Sequence, residues 1–186
     1  MIQLSRITRE TNIQVSLALA PGESRVTTDN RFLTHMLETL ARYAGVTLEL
    51  EATGDLPHHL IEDSAIALGQ AFREAAPAAC ARYGERLVPM DDALVQVALD
   101  FGGRAYYEGE LPGAMYGHWM RSFATEARAT LHVRIVRGKN AHHLIEAAFK
   151  GLGLSLRQAL SRGEHVFSTK GAVVVEVRRT DAPGEA

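Results

Sequence analysis

The pentapeptide HHLIE occurs twice in this chain, within PHHLIEDSAIALGQAF (57–72) and within AHHLIEAAFKGLGLSLRQAL (141–160). An identical run with two adjacent histidines is improbable as a coincidence in 186 residues. Apolar residues follow each copy at helical spacing, which predicts an amphipathic helix in both places. The repeat therefore indicates an internal duplication, kept either for packing or for chemistry.

The similarity extends outward from the two copies. VTLELEATG and ATLHVRIVRG precede them as alternating runs typical of half-buried strands. Helical patterns come before these runs, and NIQVSLAL and ALVQVALDF are earlier strands in matching order. Each half is predicted to be strand, strand, helix, strand, helix, an α+β unit in which two sheets bury the helices together. We expect one domain with repeats at about 1–85 and 91–171, joined by a loop in ARYGERLVPMDD.

Composition excludes several classes of protein. The formal net charge of −2 provides no basic field for nucleic acid. The longest apolar runs are too short for a membrane span, and no signal peptide is recognisable at the start, so we expect a cytoplasmic protein that does not associate with membranes. The stretch at 178–186 is predicted to be a disordered tail.

Six of the eight histidines fall at matched positions of the two halves, together with a glutamate. Imidazole and carboxylate are the usual ligands of divalent metals in mixed nitrogen and oxygen sites. On a helix, His58 and Glu62 share one face, whereas His59 is rotated by about 100° and serves a different ion. We therefore predict two metal sites with these ligands: His35, His58, His59, Glu62, His118, His142, His143 and Glu146. The absence of thiolate from this set favours Mn or Fe over a structural zinc site.

A second group of residues is typical of an anion site. Basic and hydroxyl side chains near glycines suit a phosphate group. The candidates are Arg82, Arg104, Lys150, Ser168 and Lys170. Lys150 also follows Glu146 by four residues, which places both on one helical face.

Together these motifs resemble the imidazoleglycerol-phosphate dehydratase family of histidine biosynthesis. The resemblance rests on FLTHML, the two HH–E motifs, RYG…VPMDDAL, GKNAHHLIEAAFK and STKG, in order from about Arg9 to Gly171. It implies two four-stranded sheets enclosing helices, the ribosomal protein S5 domain 2-like arrangement. It also implies two Mn²⁺ ions per active site, although Fe or Zn accept the same ligands, and a homo-oligomer of twenty-four subunits with sites at the interfaces.

The resemblance further implies roles for individual residues. The metal ligands and phosphate contacts carry over to the positions named above, and a glutamate that acts in proton transfer carries over to Glu10 in ITRETN. The substrate would be a phosphorylated imidazole that loses water to give imidazole acetol phosphate. Either Glu10 or Glu146 would take the proton from carbon, and the residues leave this choice open.

The chain departs from the family pattern at several positions. It has Thr34, Thr39 and Gly102 where the family usually has aspartate, glutamine and serine, and the stretch before His58 is three residues shorter. Two alternatives therefore stand beside the dehydratase. One is a divergent paralogue, a metal-dependent hydro-lyase or isomerase acting on a related phosphorylated substrate. The other is a non-enzymatic metal-binding shell.

Overall fold

A computed structural model of the protein describes residues 1–163. The first half of the chain contains four strands and two helices. They are β1 (Ile2–Ile7), β2 (Thr11–Ala18), β3 (Arg25–Thr28), α1 (Arg31–Ala44), β4 (Thr47–Gly54) and α2 (Pro57–Ala75).

The second half repeats this order. It contains β5 (Tyr83–Met90), β6 (Ala93–Asp100), β7 (Tyr106–Gly109), α3 (Ala114–Glu126), β8 (Thr130–Arg137) and α4 (Ala141–Ala159). Three strands, not the predicted two, precede the first helix of each half. Two of the strands, β3 and β7, are only four residues long, too short to produce a readable alternation.

The prediction of a loop in ARYGERLVPMDD was wrong, because β5 runs through it. Pro89 is tolerated there because β5 lies at the edge of its sheet, where a missing N–H breaks no second ladder. Gly84 marks a close approach, since a Cβ at this position would collide with the backbone of Ser155 in α4. Gly84 and Pro89 are thus residues typical of loops that here lie within a strand.

The strands form two four-stranded sheets with the orders β1-β2-β4-β3 and β5-β6-β8-β7. Each is antiparallel except for one pair, β3 with β4 in the first sheet and β7 with β8 in the second. Buried and exposed residues alternate along β2, so one face of the sheet covers the helices. The predicted α+β fold with two four-stranded sheets is confirmed.

The helices pack across the two halves: α1 lies against α4, and α2 against α3. Equivalent glycines allow both pairs to approach closely. A Cβ on Gly69 of α2 would lie 2.7 Å from the carbonyl oxygen of Phe123, and one on Gly153 of α4 would lie 2.8 Å from that of Leu40. Each half thus contributes one helix to each pair, and this exchange determines which histidines meet.

Among residues 1–163, no helix has the length and apolar character needed to cross a membrane. Ser168, Lys170 and the tail at 178–186 lie outside the described residues.

Candidate functional site: two histidine–glutamate clusters

Both HHLIE segments lie in the first turns of their helices, for different local reasons. Pro57 occupies the first turn of α2, where its fixed φ suits the helix and its missing N–H costs nothing. Asn140 caps α4 by accepting hydrogen bonds from the backbone N–H groups of His142 and His143. The histidines therefore project from helix ends, where side chains remain accessible.

The first cluster, called cluster A, contains His35 of α1 with His142 and Glu146 of α4. The Oε2 atom of Glu146 lies 3.3 Å from Nε2 of His35 and 3.0 Å from Nε2 of His142. One ligand atom from each of the three residues lies within 4.8 Å of the others, as a metal site requires. The two histidine side chains are 47% and 50% exposed and that of Glu146 is 9% exposed, so the cluster opens outward from a buried carboxylate.

The second cluster, called cluster B, contains His58 and Glu62 of α2 with His118 of α3. Nε2 of His118 lies 3.1 Å from Oε1 of Glu62, and Nε2 of His58 lies 3.5 Å from Oε2. Trp119 fixes the orientation of α3, because its ring is fully buried and its Nε1–H donates to Ser64 on α2. Each cluster thus combines a histidine from one half with the His–Glu pair of the other.

The second histidine of each HH pair belongs to neither cluster. Nδ1 of His59 lies 2.8 Å from Asp55, and Nδ1 of His143 lies 2.7 Å from Asp92. Histidines that bind metals commonly hold a carboxylate at the ring nitrogen that does not bind the metal. Both rings therefore have the carboxylate at Nδ1 that is common among metal-binding histidines, and Nε2 of His143 lies 3.4 Å from Asp91.

The two aspartates were missed in the sequence. Asp55 precedes His59 by four residues, a spacing that was available as a signal. Asp92 is distant in sequence from His143, and only the turn between β5 and β6 brings them together.

Lys150 contributes a positive charge beside the carboxylate of cluster A. Its Nζ lies 3.0 Å from Oε1 of Glu146. Burial opposes ionisation of Glu146, but hydrogen bonds from Lys150, His35 and His142, with the Lys150 charge, outweigh it and lower the pKa of this carboxyl. Glu146 is thus held as an anion, the form that binds a cation.

The three described residues of the predicted phosphate group lie in different settings. Lys150 lines a cavity of about 690 Å³ beside cluster A, together with His35, Thr39 and Arg42. Arg82 is held by both carboxylate oxygens of Asp100. Arg104 is exposed, and its carbonyl accepts a hydrogen bond from Thr130.

Glu10 lies in the turn between β1 and β2 with its side chain 56% exposed. Its Oε2 atom is 3.7 Å from Nδ1 of His59. Glu146 is buried and occupied by three partners, whereas Glu10 is accessible. The structure thus separates the two candidate bases by environment.

Asp92 should make stability depend on acid pH. Hydrogen bonds from the Lys139 backbone, His143 and the Asn140 backbone lower its pKa from 3.8 to about 2. Because the folded pKa is the lower one, the contribution is present above the unfolded value and is lost as pH falls through 2. The difference in unfolding free energy between the wild type and Asp92→Asn should therefore shrink between pH 4 and pH 2, measured by denaturant titration. A pH-independent difference between the wild type and Asp92→Asn would contradict the assignment.

Fold and site together define an internally duplicated α+β protein with two histidine–glutamate clusters, of which cluster A has the geometry of a possible metal site. The profile of one family, imidazoleglycerol-phosphate dehydratase, matches residues 28–156. The chain belongs to this family and is a hydro-lyase of histidine biosynthesis.

Relatives and solved structures agree along most of the chain. The imidazoleglycerol-phosphate dehydratase of Desulfitobacterium hafniense is 44% identical over 91% of this chain and 96% of its own length. That of Pyrobaculum calidifontis is 46% identical over 90% and 97%. The crystal structure of the Pyrococcus furiosus enzyme in complex with (S)-C348 superposes with a TM-score of 0.85 at 39% identity, covering 91% of this chain and all of that one.

Proposed function

We propose that this protein removes water from D-erythro-imidazole glycerol phosphate with two divalent cations, Mn²⁺ by preference, held by clusters A and B. The observation that carries this proposal is cluster A, where an ionised, buried Glu146 and two accessible imidazoles converge within 4.8 Å. Nitrogen and oxygen donors without thiolate suit Mn²⁺, and Fe²⁺ or Zn²⁺ accept the same set.

Each cluster provides three ligands, fewer than an octahedral ion takes. We infer that His59 and His143 supply further ligands to clusters on other copies of the chain, which accounts for the carboxylates at their Nδ1 atoms. Sites at subunit interfaces follow from this arrangement. A homo-oligomer of twenty-four subunits and a cytoplasmic location are further proposals that rest on the family.

The residues divide the chemistry between them. Metal ions at the clusters would supply Lewis acidity toward the substrate's imidazole ring. Glu10 takes the proton from the second carbon out from that ring, because Glu146 is committed to its partners in cluster A. This carbon keeps its own hydroxyl, and the hydroxyl that leaves is the one on the neighbouring carbon, which is attached to the ring. The electron pair left on carbon forms the new double bond and expels the neighbouring hydroxyl, which leaves as water after protonation. The enol produced rearranges to the ketone.

The phosphate would be held by Lys150 and Arg104, with Ser168 and Lys170 from the part of the chain beyond the described residues. Arg82 joins them as an oriented donor. Two N–H groups of its guanidinium donate to the carboxylate of Asp100, which holds the side chain in one orientation. Anchoring the phosphate positions the reacting carbon and so lowers the entropic part of the barrier.

The decisive experiment is an assay of purified, Mn²⁺-loaded protein with imidazole glycerol phosphate, following the ketone product. Turnover that disappears with a chelator and returns with Mn²⁺ is expected. Full activity after rigorous metal removal would overturn the metal role, and no turnover under any metal would overturn the substrate. Activity on another phosphorylated azole alone would favour the divergent paralogue, an alternative consistent with Thr39 lining the cavity in place of the family's glutamine.

Lys150→Met should weaken substrate binding. Loss of a charge-assisted hydrogen bond to phosphate costs about 1.5–3 kcal/mol, so KM should rise roughly 10- to 150-fold. Steady-state kinetics with the intact substrate measure this change. The control is Arg73→Met near the far end of α2, which removes a cation paired with the adjacent Glu74 and should leave KM unaltered. An unchanged KM for Lys150→Met would remove this lysine from the phosphate site.

A further inference from the structure

A buried polar network ties the turn that carries Glu10 to the helix of cluster B. Asp63 on α2 is 8% exposed and follows Glu62 directly. One of its carboxylate oxygens accepts a hydrogen bond from Arg6 on β1 at 2.9 Å, and the other accepts from the hydroxyl of Thr11 at the start of β2. These residues, Arg6, Thr11 and Asp63, are called the anchor network.

The anchor network continues into the turn itself. Because Thr11 donates its hydroxyl proton to Asp63, Thr8 must be the donor in the 3.0 Å contact between the two threonine hydroxyls. The Thr8 oxygen in turn accepts from the backbone N–H groups of Glu10 and Thr11. The carbonyl of Glu10 accepts from the backbone N–H of Asp55 at 3.0 Å. The backbone of Glu10 is therefore held on both sides, while its side chain remains 56% exposed with His59 as a neighbour at 3.7 Å.

The internal duplication supplies a built-in comparison. Val88 is the second-half equivalent of Arg6, because Arg6 pairs with Ile13 in the first sheet and Val88 pairs with Val95 in the second. Ala93 is likewise the equivalent of Thr11, because each lies two residues before the paired strand residue, Val95 or Ile13. Ala147 is the equivalent of Asp63, because each directly follows the glutamate of an HHLIE segment.

The second half thus has valine and two alanines at the equivalent positions, all buried. The fold accepts an apolar version of the same contact, and buried ionic groups are often no more stabilising than apolar ones. The polar version occurs in the half whose turn carries Glu10. In the second half the equivalent turn carries Asp92, which is bound to His143 and two backbone N–H groups.

We infer that Arg6, Thr11 and Asp63 are positioning residues that hold Glu10 in place for proton transfer. The inference rests on the proposed function of Glu10. The network acts on the backbone of the turn rather than on substrate. Its loss should therefore lower kcat and leave metal binding and KM intact.

The test grafts the second half's residues onto the first, as Arg6→Val, Thr11→Ala and Asp63→Ala together. The triple variant should fold with unfolding free energy at or above that of the wild type and bind Mn²⁺ equally. Its kcat should fall at least tenfold at constant KM, and amide hydrogen exchange in the turn should accelerate. Thr11→Ser, which keeps the hydroxyl, should stay within about threefold of wild-type kcat.

A second arm isolates the role of Glu10. In a Glu10→Gln background the triple change should lower kcat no further, because a network that acts through Glu10 has nothing left to position. The inference would be overturned if the triple variant kept wild-type kcat or unchanged amide exchange in the turn. It would also be overturned if the triple change lowered kcat additively in the Glu10→Gln background. A wild type that exchanges slowly in the turn but never dehydrates the substrate would instead overturn the proposed function.

Discussion

Glu10→Gln is expected to remove most of the turnover while leaving metal content and assembly unchanged. General base catalysis contributes roughly 10²- to 10⁴-fold, and an amide retains the shape of the side chain without accepting the proton. The kcat of the variant should therefore fall by about that factor. Steady-state kinetics and metal analysis of the same preparation measure the two properties together.

The environment of Glu10 explains why the effect should be large and local. Its carboxylate is 56% exposed and lies 3.7 Å from a ring nitrogen of His59, so it is accessible to a bound molecule. Glu74→Gln is the matched control, since Glu74 is an exposed carboxylate whose partner is the adjacent Arg73. Wild-type kcat in Glu10→Gln would exclude Glu10 from the mechanism and return the role of base to Glu146.

The second large effect is expected for His142→Ala, which should lose metal. The change removes one of the three proposed ligands of cluster A and leaves the buried Glu146 carboxylate beside Lys150. Changes to the residues that merely support ligands cost 10- to 100-fold in metal affinity, so loss of a direct ligand should cost more than about a hundredfold. Metal content after dialysis and affinity by competition with a chelator measure this loss.

Stability should follow the metal in this variant. Added Mn²⁺ raises the Tm of a protein that binds it only when folded, and His142→Ala should lose most of that increase. His132→Ala is the control, because His132 is an exposed residue of β8 outside both clusters. Unchanged metal content in His142→Ala would contradict the ligand assignment and with it the two-cluster site.

The sequence predicted most of the regular helices and long strands of this protein, because their patterns of apolar residues repeat within a few neighbouring positions. The alternation of NIQVSLAL and the helical spacing after each HHLIE are properties of a few neighbouring residues, and β2, β6, α2 and α4 appear where they predict. The same helical period places His142 and Glu146 on one face, one turn apart. The sequence did not predict β3 and β7, because these short strands have too few buried positions to show an alternation. It did not predict the edge strand β5, because a proline and a glycine in it are typical of a loop.

Which ligands meet was decided by packing between the halves. The repeat predicted eight similar candidates, but only the pairing of α1 with α4 brings His35 to Glu146, and only that of α2 with α3 brings His118 to Glu62. Likewise Asp92 reaches His143 through a turn far away in sequence. Such partners cannot be read from the chain, because the close approach of two helices depends on how all their buried side chains fill one shared core.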